Sequence, residues 1–124
     1  MKKYLEIILP NMLAQLGLTN SRKALVVILE SDCTELGLTF AMDALDAYVI
    51  SIKATQSIKE IGLTLAHELV HVRQMAKGFL KSVGYGAHTW AGKRYSKSTP
   101  YLSRPWEVDA FSRQEIIFRR AVSE

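Results

Sequence analysis

Residues 57–78 read SIKEIGLTLAHELVHVRQMAKG, and this stretch decides the fold. Ser57 followed three residues later by Glu60 is a capping box, the signature of a helix start. Gly78 supplies the left-handed residue at which helices commonly stop. Between them Ile58, Ile61, Leu65, Leu69, Val72 and Ala76 recur at helical spacing and form one apolar stripe. Lys59, Arg73 and Lys77 mark a narrow polar side. A helix with so little polar surface is expected to be mostly buried. His67 and His71 stand on a third side, so their imidazoles face something other than bulk core.

The chain has three histidines, and two of them bracket His67-Glu68-Leu69-Val70-His71. Residues four apart on a helix lie one turn above each other, so two imidazoles can grip one cation from the same face. Zinc favours such nitrogen ligands at about 2.0–2.1 Å. The intervening Glu68 is placed to take a proton from a water that the metal activates. A catalytic zinc usually has three protein ligands and one open position. In the longer H-E-x-x-H-x-x-G-x-x-H pattern the third ligand is a histidine, but Gln74 and Lys77 hold the Gly and His positions here. Two candidates remain: Glu107, in the run Pro105–Phe111 (PWEVDAF), and His88. Glu107 is the favoured one, because a glutamate on a second helix can face the first and the small Ala110 one turn on lets two helices approach. Asp109 is then placed to orient a ligand histidine, or to favour the helix start.

Outward from the motif, residues 3–16 carry Leu5, Ile8, Leu9, Met12, Leu13 and Leu16 at helical spacing, with Pro10 expected to bend that helix or to mark its second half. Three strand-like runs follow: Ala24–Glu30, Leu36–Met42 and Ala47–Ala54. Their short connections predict antiparallel neighbours. Residues 79–103 are rich in Gly, Ser and Tyr and read as irregular, with a short strand or hairpin around Thr89–Tyr95. Pro105 opens a last helix that runs to about Val122. The expected fold is α+β in a single domain over residues 1–124. It has an N-terminal helix, a small, mostly antiparallel sheet of three to four strands, the motif helix and a C-terminal ligand helix.

Composition narrows the classes further. With 48% hydrophobic and 23% charged residues, the 124-residue chain is neither disordered nor fibrous. The lone Cys33 excludes a disulfide scaffold and reads as a small thiol in a reduced interior. Met1-Lys2-Lys3 imitates the start of a signal peptide, but Glu6 and Pro10 break the apolar stretch behind it. No run approaches a membrane span, which predicts a soluble, cytoplasmic protein with no membrane partner. Sixteen Lys and Arg against twelve Asp and Glu leave a mild +4. Clusters at Lys93, Arg94 and Lys97 and at Arg119 and Arg120 read as a solvated surface, and nucleic acid is not an expected partner.

The runs LAHELVHVRQ (Leu65–Gln74) and RPWEVDAF (Arg104–Phe111) resemble those of zincin metallopeptidases, in particular the small gluzincin-like ones of bacteria and phages. The resemblance implies one Zn2+ per chain, with His67, His71 and Glu107 as ligands, Asp109 supporting and Glu68 as general base. It implies a peptide or protein substrate lying extended beside an edge strand, expected to be Ala47–Ala54 or its neighbour. His88, Tyr95, Tyr101 and Arg104 are candidate donors to the oxyanion that develops in peptide hydrolysis. Trp90 and Trp106 are candidate cleft residues, with Trp106 the better fit to the core. The SprT-like proteases, which act on DNA-associated proteins, are a neighbouring resemblance; they use a third histidine, which here would be His88. A zinc-binding interaction module with little activity is the other alternative.

Overall fold

The computed structural model describes residues 1–123, and the motif helix α2 (Ile58–Ala76) lies at its centre. Its cap forms as the sequence requires. Glu60 N donates to Ser57 Oγ at 3.2 Å, and Ser57 N donates to Glu60 Oε1 at 3.0 Å. Gly78, at φ +79°, takes the left-handed turn that ends it. Ile61, Leu65, Leu69 and Val72 of the apolar stripe are buried. Ile58 is exposed instead, because it stands in the first turn, ahead of the point where the core begins.

Strands β1 (Ala24–Glu30), β2 (Gly37–Met42) and β3 (Ala47–Lys53) form a sheet in the order β1-β3-β2. Only β2 and β3 are antiparallel, from Gly37↔Ile52 to Met42↔Ala47. β1 runs parallel to β3, from Ala24↔Ala47 to Glu30↔Lys53, which corrects the antiparallel expectation. The chain leaves β1, passes the place that β3 will fill and forms β2. A tight turn at Asp43–Leu45, closed by Asp46 at φ 50°, then sends β3 back between the two. The run 47–54 is therefore the central strand and not the edge. All of β3 but Lys53 is buried, as expected for a strand with a neighbour on each side. Cys33 lies half-buried in the β1–β2 connection and not in the interior.

Tyr48, Ile50 and Ile52 on the inner face of the sheet join Leu65 and Leu69 of α2 in the core. Helix α1 (Lys2–Gln15) adds Leu5, Ile8 and Met12, and helix α3 (Pro105–Val122) adds Ala110, Ile117 and Phe118. Pro10 lies inside α1 and does not end it. Val26, Ile28, Leu38, Phe40 and Met42 on the sheet's outer face are exposed. In the middle of that face the buried Ser51 Oγ has no hydrogen-bond partner.

Beyond α2 the segment expected to be irregular forms a second antiparallel sheet, β4 (Leu80–Gly84), β5 (Ala87–Trp90) and β6 (Lys93–Tyr95), in that order. The expected hairpin is β5–β6. β4 escaped notice because only its first residue, Leu80, is buried, so no alternation marks it. The α+β class stands, with two three-stranded sheets in place of one. No helix of the described residues is long and apolar enough to cross a membrane.

Gly62 of α2 lies against the Phe118 ring of α3, and a methyl group there would collide with it. Overpacking of this kind costs about 1–3 kcal/mol. Gly62→Ala is expected to lower the urea midpoint accordingly, with the denaturant slope unchanged. Ser51→Ala removes an orphaned buried hydroxyl, so the same titration should find it neutral or stabilising by up to about 1 kcal/mol.

Candidate metal centre

The i,i+4 spacing on α2 sets the two imidazoles side by side, with ring centroids 4.9 Å apart. Pro105 opens α3 as its first residue, which puts Glu107 in the first turn, facing α2. His67, His71 and Glu107 are all buried, and one ligand atom from each lies within 4.8 Å of the others. Glu107 Oε1 is 2.9 Å from His67 Nε2 and 3.1 Å from His71 Nε2. The Tyr101 hydroxyl, from the short 3-10 turn Tyr101–Ser103 ahead of α3, donates to the same oxygen at 2.9 Å.

The far side of each ring is fixed by a glutamine. Gln74, fully buried, donates through Nε2 to Trp106 O and to Asp109 Oδ2, both at 2.9 Å. Its Oε1 is thereby turned to His71 Nδ1 at 2.8 Å, and a carbonyl oxygen can only accept. His71 must carry its proton on Nδ1. In the neutral ring the Nε2 lone pair then points at the carboxylate oxygen of Glu107. His67 Nδ1 likewise donates to Gln114 Oε1 at 2.7 Å. Two lone pairs aimed at a carboxylate repel it unless a positive charge stands between them. A proton on an imidazole supplies that charge, and so does a metal cation. Two neutral imidazoles and a carboxylate are also the donor set of a zinc site with an open position. The group therefore fits a metal ion in both chemistry and spacing.

The same charges move the titrating groups. Burial pushes the Glu107 carboxyl up, but hydrogen bonds from His67, His71 and Tyr101 outweigh it and hold it well below the usual carboxylate range. Burial lowers the basicity of His71, yet the Glu107 carboxylate beside it raises it on balance. Glu68, one residue on from His67, is pushed up by burial against the opposing pull of His71 and of Thr39. Its Oε1 accepts from Thr39 Oγ1 of β2 at 2.7 Å. A side chain at Gly37 would come within 2.9 Å of Glu68 Oε2, so glycine is what lets β2 approach this closely.

An open cleft of about 1310 Å³ runs past these groups. Its walls include β2, the start of β4, His88, Tyr101 and Arg104. The expected site residues separate accordingly. Glu107, and not His88, joins the two motif histidines. The His88 ring packs on Trp106 at 5.2 Å, within reach of the cleft but away from the donor atoms. Tyr101 reaches the centre. Arg104 lines the cleft while donating to the backbone oxygens of Thr99 and Lys97. Tyr95 packs edge-on against Trp106, and Trp90 packs on Phe79, so neither lines the cleft. Trp106 is buried, as expected, and also borders the cleft. Asp109 supports His71 only through Gln74.

Sequence reasoning missed Thr39, Gln74 and Gln114. The last was within reach, since Gln114 stands seven residues beyond Glu107 on the same helix face. Comparison of the chain with known protein families, curated proteins and solved structures finds no match.

His67→Ala or Glu107→Ala is expected to abolish stoichiometric metal uptake measured by elemental analysis, whereas His88→Ala should retain it. Gln74→Ala should weaken the affinity about 10–100-fold, the usual effect of removing a group that orients a ligand.

Proposed function

We propose that the chain is a zinc-dependent metallopeptidase in which Glu68 is the general base. The observation that carries this reading is the buried Glu68 carboxylate, set beside a His67–His71–Glu107 group at the floor of an open cleft. His67, His71 and Glu107 would hold the zinc, with Gln74 and Gln114 fixing which ring nitrogen of each histidine faces it. Bound there, zinc supplies Lewis acidity to a peptide carbonyl and acidifies a water molecule.

The remaining roles belong to the chain itself. Burial raises the affinity of Glu68 for a proton, which suits a group that must take one from water and hand it to a leaving amine. The hydroxyl of Thr39 holds one oxygen of that carboxylate, so Glu68 keeps a single orientation. Tyr101 keeps its proton, since burial and the Glu107 charge both push its ionisation up, and its one O–H, given to Glu107 in this structure, would have to turn from that carboxylate to meet negative charge developing on the substrate. β2 borders the cleft and is paired on one side only, so its free edge can receive an extended peptide as an added strand.

Glu68→Gln keeps the shape and removes the proton acceptor. Its metal content should equal that of the parent chain, while hydrolysis of a mixed peptide pool followed by mass spectrometry should fall by about 10²–10⁴-fold. Undiminished hydrolysis in this variant would sink the mechanism. A parent chain that holds zinc yet cleaves no peptide would instead be a binding module.

A further inference from the structure

Residues 69–106 contain seven of the chain's sixteen Lys and Arg and none of its twelve Asp and Glu. The nine cations elsewhere face all twelve acids, so the surplus positive charge belongs to this one segment and is not spread along the chain. The segment folds as the end of α2, the sheet β4-β5-β6 and the approach to α3, and it lines one side of the cleft through His71, the start of β4, His88 and the approach to α3. Among the described residues none of the seven pairs with a carboxylate.

The sheet arranges part of this charge in a line. Lys81 of β4 is opposite Thr89 of β5, and Thr89 is opposite Arg94 of β6. Partners in register share a face, and neighbouring strands are about 4.8 Å apart, so Lys81 and Arg94 lie roughly 10 Å apart on one face. Lys81 borders the cleft, as does Arg104, while Arg94 is exposed on the far strand. A positive stripe thus begins at the edge of the cleft, at Lys81, and runs over the face of the sheet opposite to His88 and Tyr95. The opposite wall, β2, is apolar apart from Thr39, and the acids on that side, Glu35, Asp43 and Glu60, stand around the strand and not on it.

We propose that this stripe docks an acidic polypeptide segment, so that the substrate carries Asp or Glu residues on one side of the bond to be cleaved. The substrate assignment rests on the peptidase reading; the docking itself does not. One extended chain lying along β2 can continue onto the stripe, because β2 and Lys81, the near end of the stripe, border the same cleft. Nucleic acid fits less well. Its unpaired bases would need free aromatic faces along the stripe, yet Trp90 is packed on Phe79, Tyr95 on Trp106, Lys93 lies over the Tyr95 ring, and the exposed Tyr85 stands at the β4–β5 turn, off the line from Lys81 to Arg94.

The test uses the Glu68→Gln protein as purified, so that binding is read without turnover. A fluorescent peptide with a run of glutamates, its glutamine counterpart and an oligothymidine are titrated by anisotropy. The glutamate peptide should bind about tenfold tighter than the glutamine one, the combined effect of several exposed ion pairs, and added salt should erase the difference. Lys81→Glu with Arg94→Glu should abolish the preference, and the milder pair Lys81→Gln with Arg94→Gln should reduce it. Equal binding of the two peptides, a preference that survives charge reversal, or tighter binding of oligothymidine would each overturn the proposal. A Glu68-intact chain that cleaves both peptides alike would leave the peptidase reading standing and remove the stripe. A chain that cleaves neither while the binding preference persists would do the reverse.

Discussion

A single oxygen organises the site. Glu107 Oε1 is approached by the nitrogens of two buried imidazoles and by the hydroxyl of the half-exposed Tyr101, all within 3.1 Å, and the carboxylate itself is buried. Burying a carboxylate is expensive unless positive charge or several donors meet it. The fold can hold this arrangement because α2 and α3 are joined by apolar contacts that do not involve it, with Ala110 and Phe118 in the common core and Gly62 beneath the Phe118 ring. The packing of the two helices brings the three donors together, and a cation between them removes the electrostatic conflict.

From that oxygen the polar contacts spread in three directions, each ending on a regular element. Asp109 and the Trp106 carbonyl hold Gln74, which holds His71. Gln114 holds His67 from the next turns of α3. Thr39 holds Glu68 from β2. Groups anchored to helices and strands hold their geometry better than groups on loops. Both imidazole rings are fixed in tautomer by amide oxygens that cannot donate, and the nitrogens facing the centre are therefore bare of protons whenever the rings are neutral.

How much of this could be read from the sequence depended on the range of the interaction. The motif pair, the capping box and the helix ends were legible because they rest on spacings of three or four residues within one helix. Glu107 was half-legible. Its early position in a helix and the small Ala110 pointed to it, but choosing it over His88 needs the packing of α3 on α2. The order β1-β3-β2 was hidden, since a strand's neighbours are decided by long-range pairing that local alternation does not encode. Gln74 was hidden for another reason. On the helix bearing Arg73 and Lys77 it reads as one more solvated polar residue, and only the arrival of Trp106 and Asp109 makes it fully buried.

The period of the β-strand also reconciles two demands that conflict on the peptidase reading. Glu68 needs surroundings closed enough to raise its proton affinity, while an extended substrate needs an open strand edge beside it. β2 meets both by alternation. Gly37 and Thr39 point inward, the first leaving room for the Glu68 carboxylate and the second bonding to it, while Leu38 and Phe40 point out. The backbone edge between these two faces stays unpaired, because β3 occupies only the other side. A slip of one residue in the β2–β3 register would exchange the faces, set Leu38 against Glu68 and lose the hydroxyl that orients it. The register of one short strand is thus a condition for a working base as much as the histidines are for a metal.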